Sequence, residues 1–393
     1  MPPYMPPEIT DTIISAVPLD RYPGFRPSRT HTLAMCALVC RAWLPRSRVE
    51  LFKNIPIREE HTYDLLVERV LHSETMSPYL ASVDRLVLHR DRSDPPSKAG
   101  RLFFVEFAGK LAGLRTLDVE HIDFTHQRPS VTWPLLLSQF RTITSLTLYN
   151  CHFSSFSDVR RLFTALPLLS SLSIDELTWP MVSHEMHLRT TLRPRTFWPE
   201  LHELHIWNLP PQCAAMLLRW ITGALHGSPV KELRCDILDL PSTGSVQEAV
   251  DAFVGRVGPS VTDLDIHMTD NVPLSGFIAL ERFSCHFYES QGSWQGVASV
   301  LQGVSSSTIQ SITFNSLTQR CHFNEPTYLH FDDDTLEELD HVLSGEPFGR
   351  LREFILYVFA AREEDEELLR THARRCLPEL HKQKILSLHI RWI

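Results

Sequence analysis

One arrangement of apolar residues recurs through most of this chain. Its clearest copy covers residues 143–153, where Ile143, Leu146, Leu148 and Cys151 occupy positions one, four, six and nine. Alternation over such a short stretch indicates a β-strand with one buried face, followed by a turn whose side chains point back inward. Ten further stretches share the first six positions, with fourth-position residues Leu86, Leu117, Leu172, Leu204, Leu233, Leu264, Phe283, Ile312, Phe354 and Leu388.

This spacing is that of leucine-rich repeats, although the mean period of about 30 residues exceeds the roughly 20–29 of standard ones. Helical periodicity lies between several copies, over residues 156–166, 213–225, 246–257, 294–301 and 335–343. One strand and one helix cannot enclose their own apolar face, so neighbouring units must stack. Residues 58–393 therefore predict an α/β leucine-rich-repeat solenoid of about 10–11 irregular repeats, with a curved parallel sheet inside and helices outside.

The residues that alternate with the buried ones should occupy the opposite, concave face of this sheet. Aromatic, imidazole and acidic groups are mixed there, as is typical of a protein-binding surface. The alternative is a merely solvated face, because an alternating strand needs polar residues on its open side in any case. The candidates for contact with a target protein are Tyr149, His205, Trp207, Asp236, His267, His286 and Asn315.

The first 57 residues do not follow the repeat and predict a small helical module. Ile9 and Ile13 begin one amphipathic stripe, Leu33 begins a second that reaches Trp43, and Leu51 belongs to a third short helix. A module of this size cannot bury all its apolar residues alone. A partner protein or the repeats must therefore cover some of them.

The same residues resemble an F-box. The resemblance is carried by Met5-Pro6-Pro7-Glu8-Ile9 with Ile13-Ile14, by Leu38-Val39-Cys40-Arg41-Ala42-Trp43, and by Leu51-Phe52 with Ile55. In that family the opening is usually Leu-Pro-x-Glu and the later signature Leu-Val-Cys-(Arg/Lys)-x-Trp. Met5 thus replaces the usual leucine, and the loop over residues 18–32 is longer than the family norm. The order of an F-box followed by irregular repeats resembles a large fungal group of F-box and leucine-rich-repeat proteins.

The resemblance implies a substrate receptor of a cullin-based (SCF-type) ubiquitin ligase, which itself carries out no bond chemistry. The module would dock on the Skp-type adaptor, and through it on the cullin, while the repeats hold an unknown target protein. Carried over residue by residue, the adaptor contacts or their immediate supports are Pro6, Pro7, Ile9, Ile13, Leu38, Val39, Cys40 and Trp43. The competing interpretation is an interaction scaffold whose N-terminal helices only cap the solenoid.

Charge and composition exclude several other classes. Thirty-eight Lys and Arg against 47 Asp and Glu give a formal charge of −9, which argues against a nucleic-acid partner. The longest apolar runs fall far short of the roughly 18–20 residues of a membrane span, and the N-terminus does not have the pattern of a secretory signal. The sequence predicts an intracellular protein, cytoplasmic or nuclear, whose eight scattered cysteines are reduced and mostly buried.

We find no catalytic or metal-binding motif in the sequence. No G-x-G occurs, so the common nucleotide-binding glycine loops are missing. Cys36 and Cys40 stand four residues apart, but no second pair of Cys or His at a matching spacing lies nearby to complete a metal site. A hydrolase or transferase within residues 178–195 has no motif behind it. We therefore expect a non-catalytic protein without cofactor or metal.

Overall fold

The computed structural model describes residues 6–17, 29–90, 98–125, 136–180, 200–225, 230–236, 244–267, 274–288, 295–317, 333–360 and 365–392. Their contacts divide the chain into two compact units. The first is Met1–Leu172 with Glu176–Pro180, and the second is Ser173–Asp175 with Met181–Ile393. This division differs from the predicted one into residues 1–57 and 58–393, which stays a prediction.

The first unit opens with three helices, α1 (Pro7–Ser15), α2 (Arg29–Val39) and α3 (Leu44–Phe52). Prolines in the first turns of α1 and α3 suit positions that need no amide hydrogen. Strand β1 (Asn54–Ile57) and α4 (Glu60–Leu65) follow, and α4 continues as a π-helical turn (Leu66–Leu71) before a 3₁₀ helix (Ser77–Ser82). The repeats then supply β2 (Arg85–His89), α5 (Lys98–Glu106), β3 (Thr116–Glu120), β4 (Ser145–Tyr149) and α6 (Phe156–Thr164).

Strand β5 (Ser171–Asp175) falls on the division between the units. The elements of the second unit are β6 (Glu203–Trp207), α7 (Pro211–Ala224), β7 (Glu232–Cys235), α8 (Gly244–Val257), β8 (Asp263–His267), β9 (Arg282–Tyr288), α9 (Gln295–Gln302), β10 (Ser311–Leu317), α10 (Asp333–Leu343), β11 (Glu353–Ala360), α11 (Asp365–Cys376), α12 (Pro378–Lys382) and β12 (Leu386–Trp392). Short 3₁₀ turns occur at Gly258–Ser260, Leu274–Gly276 and Glu346–Phe348.

Within each unit the strands pair in parallel and in chain order. In the first unit β1 pairs with β2, β2 with β3 and β3 with β4. In the second, every strand from β6 to β12 pairs with the next one. Parallel strands joined through helices are the arrangement predicted for the repeats. The fold is thus an α/β leucine-rich-repeat solenoid preceded by a small helical module.

All eleven predicted repeat strands are present, with one shift of register. Phe354 of β11 pairs with Leu386, so the repeat position assigned to Leu388 belongs to Leu386. The shift of two residues keeps the same side chains on the same face. Strand β1, within the predicted helical module, was not predicted, and its Ile55 pairs with Leu86 of β2.

The predicted helices are also present, with small differences at their ends. Each of the five stretches predicted between the strands contains a helix. In the N-terminal module, α2 ends at Val39, before Cys40 and Trp43, which were predicted on its apolar stripe. Cys40, which the stripe from Leu33 to Trp43 would place on one helical face with Cys36, therefore lies beyond the end of the helix. Among the described residues, no helix combines the length and apolar character needed to cross a bilayer.

The core lies between one face of the strands and the helices. In β4, Leu146 and Leu148 are fully buried, whereas Thr147 between them is only partly buried. Helix α6 supplies the opposing apolar side chains, such as Leu162 and Phe163, both at most 3% exposed. The same alternation of buried and half-buried residues recurs in β5 and β8. In these strands one face is buried in the core, so the alternating side chains on the other face are left more accessible.

Several strands end in the same kind of turn. His121, Asn150, Glu176 and Asn208 each directly follow a strand and have φ between 48° and 57°, in the left-handed region. After Asn150 the chain turns inward, and Cys151 is fully buried with its Sγ 3.5 Å from the carbonyl oxygens of Val119 and Tyr149. The inward-pointing turn predicted from the repeat is confirmed there.

Candidate protein-binding surfaces

The N-terminal module has a small core of its own. Ile14 of α1 and Leu33 of α2 are at most 1% exposed, and both helices pack against α3. The remaining large apolar residues of α1 and α2 therefore have little interior to enter. Because α1 and α2 are short and the module is small, these apolar residues lie outside its core.

A buried carboxylate joins two helices of the module. Glu50 of α3 is 1% exposed and lies 2.9 Å from Arg29 at the start of α2. Arg46 of α3 and Lys53, the residue directly after α3, approach Glu50 to 2.9 and 2.8 Å. Arg46 also donates a hydrogen bond to Ser15 Oγ of α1 at 2.6 Å. All three helices are thus linked through side chains that contact one another around Glu50.

The environment of Glu50 stabilises its charged form. Burial by itself raises the pKa of a carboxyl group, because it removes solvation from the anion. Here the hydrogen bond from Lys53 and the positive charges of Lys53, Arg46 and Arg29 together outweigh burial, so the pKa of Glu50 is lowered. A buried anion with three cationic neighbours gives the module a definite helix arrangement.

The N-terminal apolar surface is the set of large apolar side chains that α1 and α2 expose. Leu38 is 79% exposed, Val39 61%, Met35 53%, Ile9 50% and Ile13 44%. Isolated exposed apolar residues are ordinary, but five on two short helices that both pack against α3 are a concentration that commonly marks a protein contact.

The predicted adaptor contacts are all on the accessible side of the module or at its edge. Pro6, Pro7 and Cys40 are exposed, and Trp43 is half-buried. Met35 was not among the predicted contacts. It lies one helical turn before Leu38 and Val39, so the i, i+3 and i, i+4 spacing of α2 could have indicated it.

In the first unit, the open face of the sheet carries a small cluster of rings. His121 contacts the rings of His89 and Tyr149, with centroid distances of 5.4 and 4.9 Å. His89 Nδ1 lies 2.8 Å from Glu120 Oε2. Of these residues only Tyr149 was a predicted contact. His121 belongs to the turn after β3, where strand alternation alone gives no orientation.

In the second unit, polar and aromatic residues from neighbouring strands occupy one line across the sheet. The register aligns His267 of β8 with His286, His286 with Asn315, Asn315 with Tyr357, and Tyr357 with His389. Trp207 of β6 extends this line, because its ring lies 4.9 Å from that of His267. We name Trp207, His267, His286, Asn315, Tyr357 and His389 the sheet-face row.

Ring contacts hold parts of the sheet-face row together. The rings of His267 and His286 are 5.8 Å apart, and those of Tyr357 and His389 stack at 4.9 Å. Trp207 and His267 meet although β7, which ends beside Asp236, lies between their strands. Aromatic contacts of this kind fix side-chain orientation. The row is accordingly a partly ordered surface, in which Trp207, His267 and His286 are half-buried.

Carboxylates flank the sheet-face row on the same face. Glu232 pairs with Arg234 at 2.6 Å and lies 3.3 Å from His205 Nε2. Asp263 pairs with Arg282. Glu203 and Asp236 add two further carboxylates, of which Asp236 accepts a hydrogen bond from the backbone N–H of Asn208.

Two histidines of this face are held in their neutral form. Burial is the largest cause that lowers the pKa of His205, and the charge of Arg234 lowers it further, against the opposing effect of Glu232. Burial likewise lowers the pKa of His267, with His286 adding to the effect and Asp265 opposing it. Asp265 Oδ1 lies 2.9 Å from His286 Nε2. Imidazoles with a lowered pKa add no positive charge to this face at neutral pH.

The described residues include cysteine thiols and other potential metal ligands. Within the described ranges, no three His, Cys, Asp or Glu side chains come together as metal ligands. Burial raises the pKa of Cys151 to about 12 and also raises that of Cys285, which makes both poor nucleophiles. Residues 181–199, which include most of the stretch 178–195, lie outside the described residues.

Comparison with known proteins shows distant structural similarity. No protein-family model matches the chain, and no curated protein matches it. A chain of the crystal structure described as "Crystal structure of Rad7 and Elc1 complex in yeast" is similar to this one, with 15% sequence identity and a TM-score of 0.40. The match covers 94% of this chain and 79% of that one. At this identity and score, the similarity does not bear on function.

Proposed function

We propose that this protein is the non-catalytic substrate-recognition subunit of a cullin-based (SCF-type) ubiquitin ligase. The N-terminal apolar surface is the observation that carries the proposal. Four of its five residues, all except Met35, belong to the segments on which the sequence resembles an F-box, and Leu38 is 79% exposed at the end of α2. A Skp-type adaptor would cover this surface, and the adaptor would bring the cullin.

The repeats would supply the second contact. Their open sheet face presents the sheet-face row and its flanking carboxylates, and a target protein held there would be presented for ubiquitin transfer. The division of labour needs no reactive group in this chain. The protein would act inside the cell, in the cytoplasm or nucleus, where such ligases work.

The energetics of adaptor docking can be tested at Leu38. Full burial of a leucine side chain contributes about 1.5–3 kcal/mol, and an unpaired carboxylate in its place opposes burial strongly. Leu38→Asp should therefore weaken adaptor binding by at least about tenfold while the free protein stays folded, since the side chain is solvated there.

The experiment is co-purification of tagged full-length protein with a Skp-type adaptor, comparing wild type with Leu38→Asp. Leu168→Asp is the matched control, because Leu168 is also exposed, at 57%, but lies between α6 and β5. Retention of the adaptor by wild type and by the Leu168 variant, with its loss from the Leu38 variant, is the expected result. A wild-type chain that does not retain the adaptor would overturn the proposal.

A second candidate is a scaffold whose N-terminal helices cap the first repeat. One observation favours it: α3 packs on β1, and β1 pairs with β2. Deletion of residues 1–53 should then cause aggregation in the absence of any adaptor, whereas Leu38→Asp should have no effect on any partner. The N-terminal helices can cap the first repeat and also bind an adaptor, so evidence of capping does not exclude the receptor function. Loss of the adaptor from Leu38→Asp would favour the receptor over the scaffold.

A further inference from the structure

The sheet-face row has dimensions that suit an extended peptide. Adjacent strands lie about 4.8 Å apart, so the six spacings from β6 to β12 cover about 29 Å. An extended chain advances about 3.3 Å per residue, and about nine residues therefore span the row. Trp207 and Tyr357 provide aromatic surface at separate points along this line.

The charges around the row select the chemistry of that peptide. From β6 to β8 the same face carries the carboxylates of Glu203, Glu232, Asp263 and Asp265, together with Asp236 directly after β7. The cationic side chains among them are Arg234 and Arg282, and each is paired with a carboxylate of the face. Carboxylates are thus in excess, and His205 and His267 contribute no positive charge at neutral pH because their pKa values are lowered.

An excess of carboxylates beside aromatic rings complements lysine and arginine side chains. The carboxylates attract the cationic groups, and the faces of Trp207 and Tyr357 can take an ammonium or guanidinium group by cation–π contact. The same charges repel an acidic peptide or the phosphates of a nucleic acid. The long aliphatic stems of Lys and Arg can also cover the half-buried rings.

We infer that the sheet-face row binds an extended, basic segment of the target protein, rich in lysine or arginine. The inference deepens the proposed function and rests on it only in treating the bound segment as part of a ubiquitination target. Binding of the segment itself needs no adaptor. The two ideas can therefore fail separately.

The test uses two fluorescein-labelled peptides of about nine residues, one alternating Lys with Ala and the other Glu with Ala, titrated with full-length protein. Fluorescence anisotropy should report binding of the lysine peptide at least about tenfold tighter than that of the glutamate peptide, and the difference should shrink as salt is added. Equal affinity, or tighter binding of the glutamate peptide, would overturn the inference.

Two variants locate the peptide. Trp207→Ala should weaken binding of the lysine peptide by about tenfold, because it removes aromatic contact at one end of the row. Glu203→Lys, at an exposed side chain, should weaken the lysine peptide by about threefold and strengthen the glutamate peptide, and it keeps the test valid if the Trp207 variant does not fold. Leu168→Asp serves as control for both. Unchanged affinity in the folded variants would refute the location.

Failure of this test leaves the proposed function intact when the adaptor still co-purifies. Conversely, if the lysine peptide binds at the sheet-face row but the protein does not retain the adaptor, the inference about the row is supported and the proposed ligase function is refuted. The Leu38→Asp variant adds a direct separation, since Leu38 belongs to the N-terminal module and the row to the second unit. It should lose the adaptor and bind the lysine peptide as wild type does.

Discussion

Arg29, the first residue of α2, forms a 2.9 Å ion pair with Glu50, which is 1% exposed near the end of α3. This contact links the helix that carries Leu38 and Val39 to the helix on which the module is assembled. Because Arg46 reaches both Glu50 and Ser15 of α1, the orientation of the N-terminal apolar surface depends on one buried carboxylate. The adaptor docking that we propose should therefore respond to the ionisation of Glu50.

Glu50→Gln should loosen the module. Replacing Glu50 removes the shared partner of three partly exposed cations, so the cost should lie below the roughly 3–5 kcal/mol of a fully buried pair. Hydrogen–deuterium exchange of peptides within residues 29–52 should accelerate accordingly. Glu379→Gln is the control, because Glu379 makes an exposed 3.5 Å pair with Lys382 that should contribute little. Equal exchange in both variants would contradict a structural role for Glu50.

The same carboxylate predicts the response of the module to acid. The pKa of Glu50 is lowered in the folded state, so its contribution to stability is complete above its ordinary value of 4.5 and is lost as pH falls through the folded pKa. After correction for the intrinsic slowing of amide exchange at lower pH, the protection of the 29–52 peptides should therefore fall more steeply with acid in wild type than in Glu50→Gln. A variant whose acid response matches that of wild type would contradict this.

The buried face of the sheet can be tested at two adjacent residues. Leu146→Ala should cost about 2–5 kcal/mol, the usual range for a buried leucine, because Leu146 is fully buried in β4. Thr147→Ala should cost little, since its side chain lies on the opposite face. Denaturant unfolding measures both. Similar small effects at the two positions would show that the strand faces are assigned wrongly.

The titration of His267 should respond in opposite directions to its two charged neighbours. His286 lowers the pKa of His267 and Asp265 raises it, while Asp236, directly after β7, and the Trp207 ring lie on its other side. His286→Gln should therefore raise the His267 pKa, and Asp265→Asn should lower it. NMR titration of the imidazole C–H resonance measures both shifts. Shifts of the same sign would contradict the arrangement of charges in the row.

Protonation of His267 should also cost stability. Its folded pKa lies below the ordinary 6.5, so the neutral form contributes fully above that value, and the contribution is lost as pH falls from there toward the folded pKa. His267→Gln should flatten this part of the pH profile of unfolding. His381→Gln, at an exposed histidine of α12, is a suitable control.

Thiol labelling should separate the cysteines by location. Cys40 is exposed and should react quickly with iodoacetamide, whereas Cys151 and Cys285 should react only after unfolding, because burial raises the pKa of each thiol and blocks access. Peptide mapping by mass spectrometry identifies each site. Fast labelling of Cys151 in folded protein would contradict its placement in the core.

The repeat strands could be predicted from the sequence because alternation marks each strand separately. Leu146 and Thr147 show their faces without knowledge of any partner strand. The short strand β1 escaped prediction because four residues including Pro56 carry too little alternation, and its pairing with β2 depends on the packing of α3. The sequence also offered no sign of the shifted register at Leu386, since Leu386 and Leu388 fit the repeat equally well.

The sequence could predict on which face of the sheet the candidate residues lie, but not which of them contact one another. His267 and His286 could be assigned to one face by alternation, but their alignment depends on a register across connections of unequal length. The contacts around Glu50 involve residues of three helices. In the sequence alone, a glutamate among basic residues is equally typical of a solvent-exposed helix face. The burial of Glu50, which the sequence does not reveal, distinguishes a buried charge network from an exposed helix face.

The pairing of β1 with β2 has a practical consequence for anyone dividing this protein for expression. Residues 54–57 complete the hydrogen-bonding edge of the first repeat while being joined directly to α3. A fragment starting at residue 58 would present β2 as a bare edge, inviting other chains to add to it. A soluble repeat fragment should therefore begin before Asn54, even where the helices are unwanted.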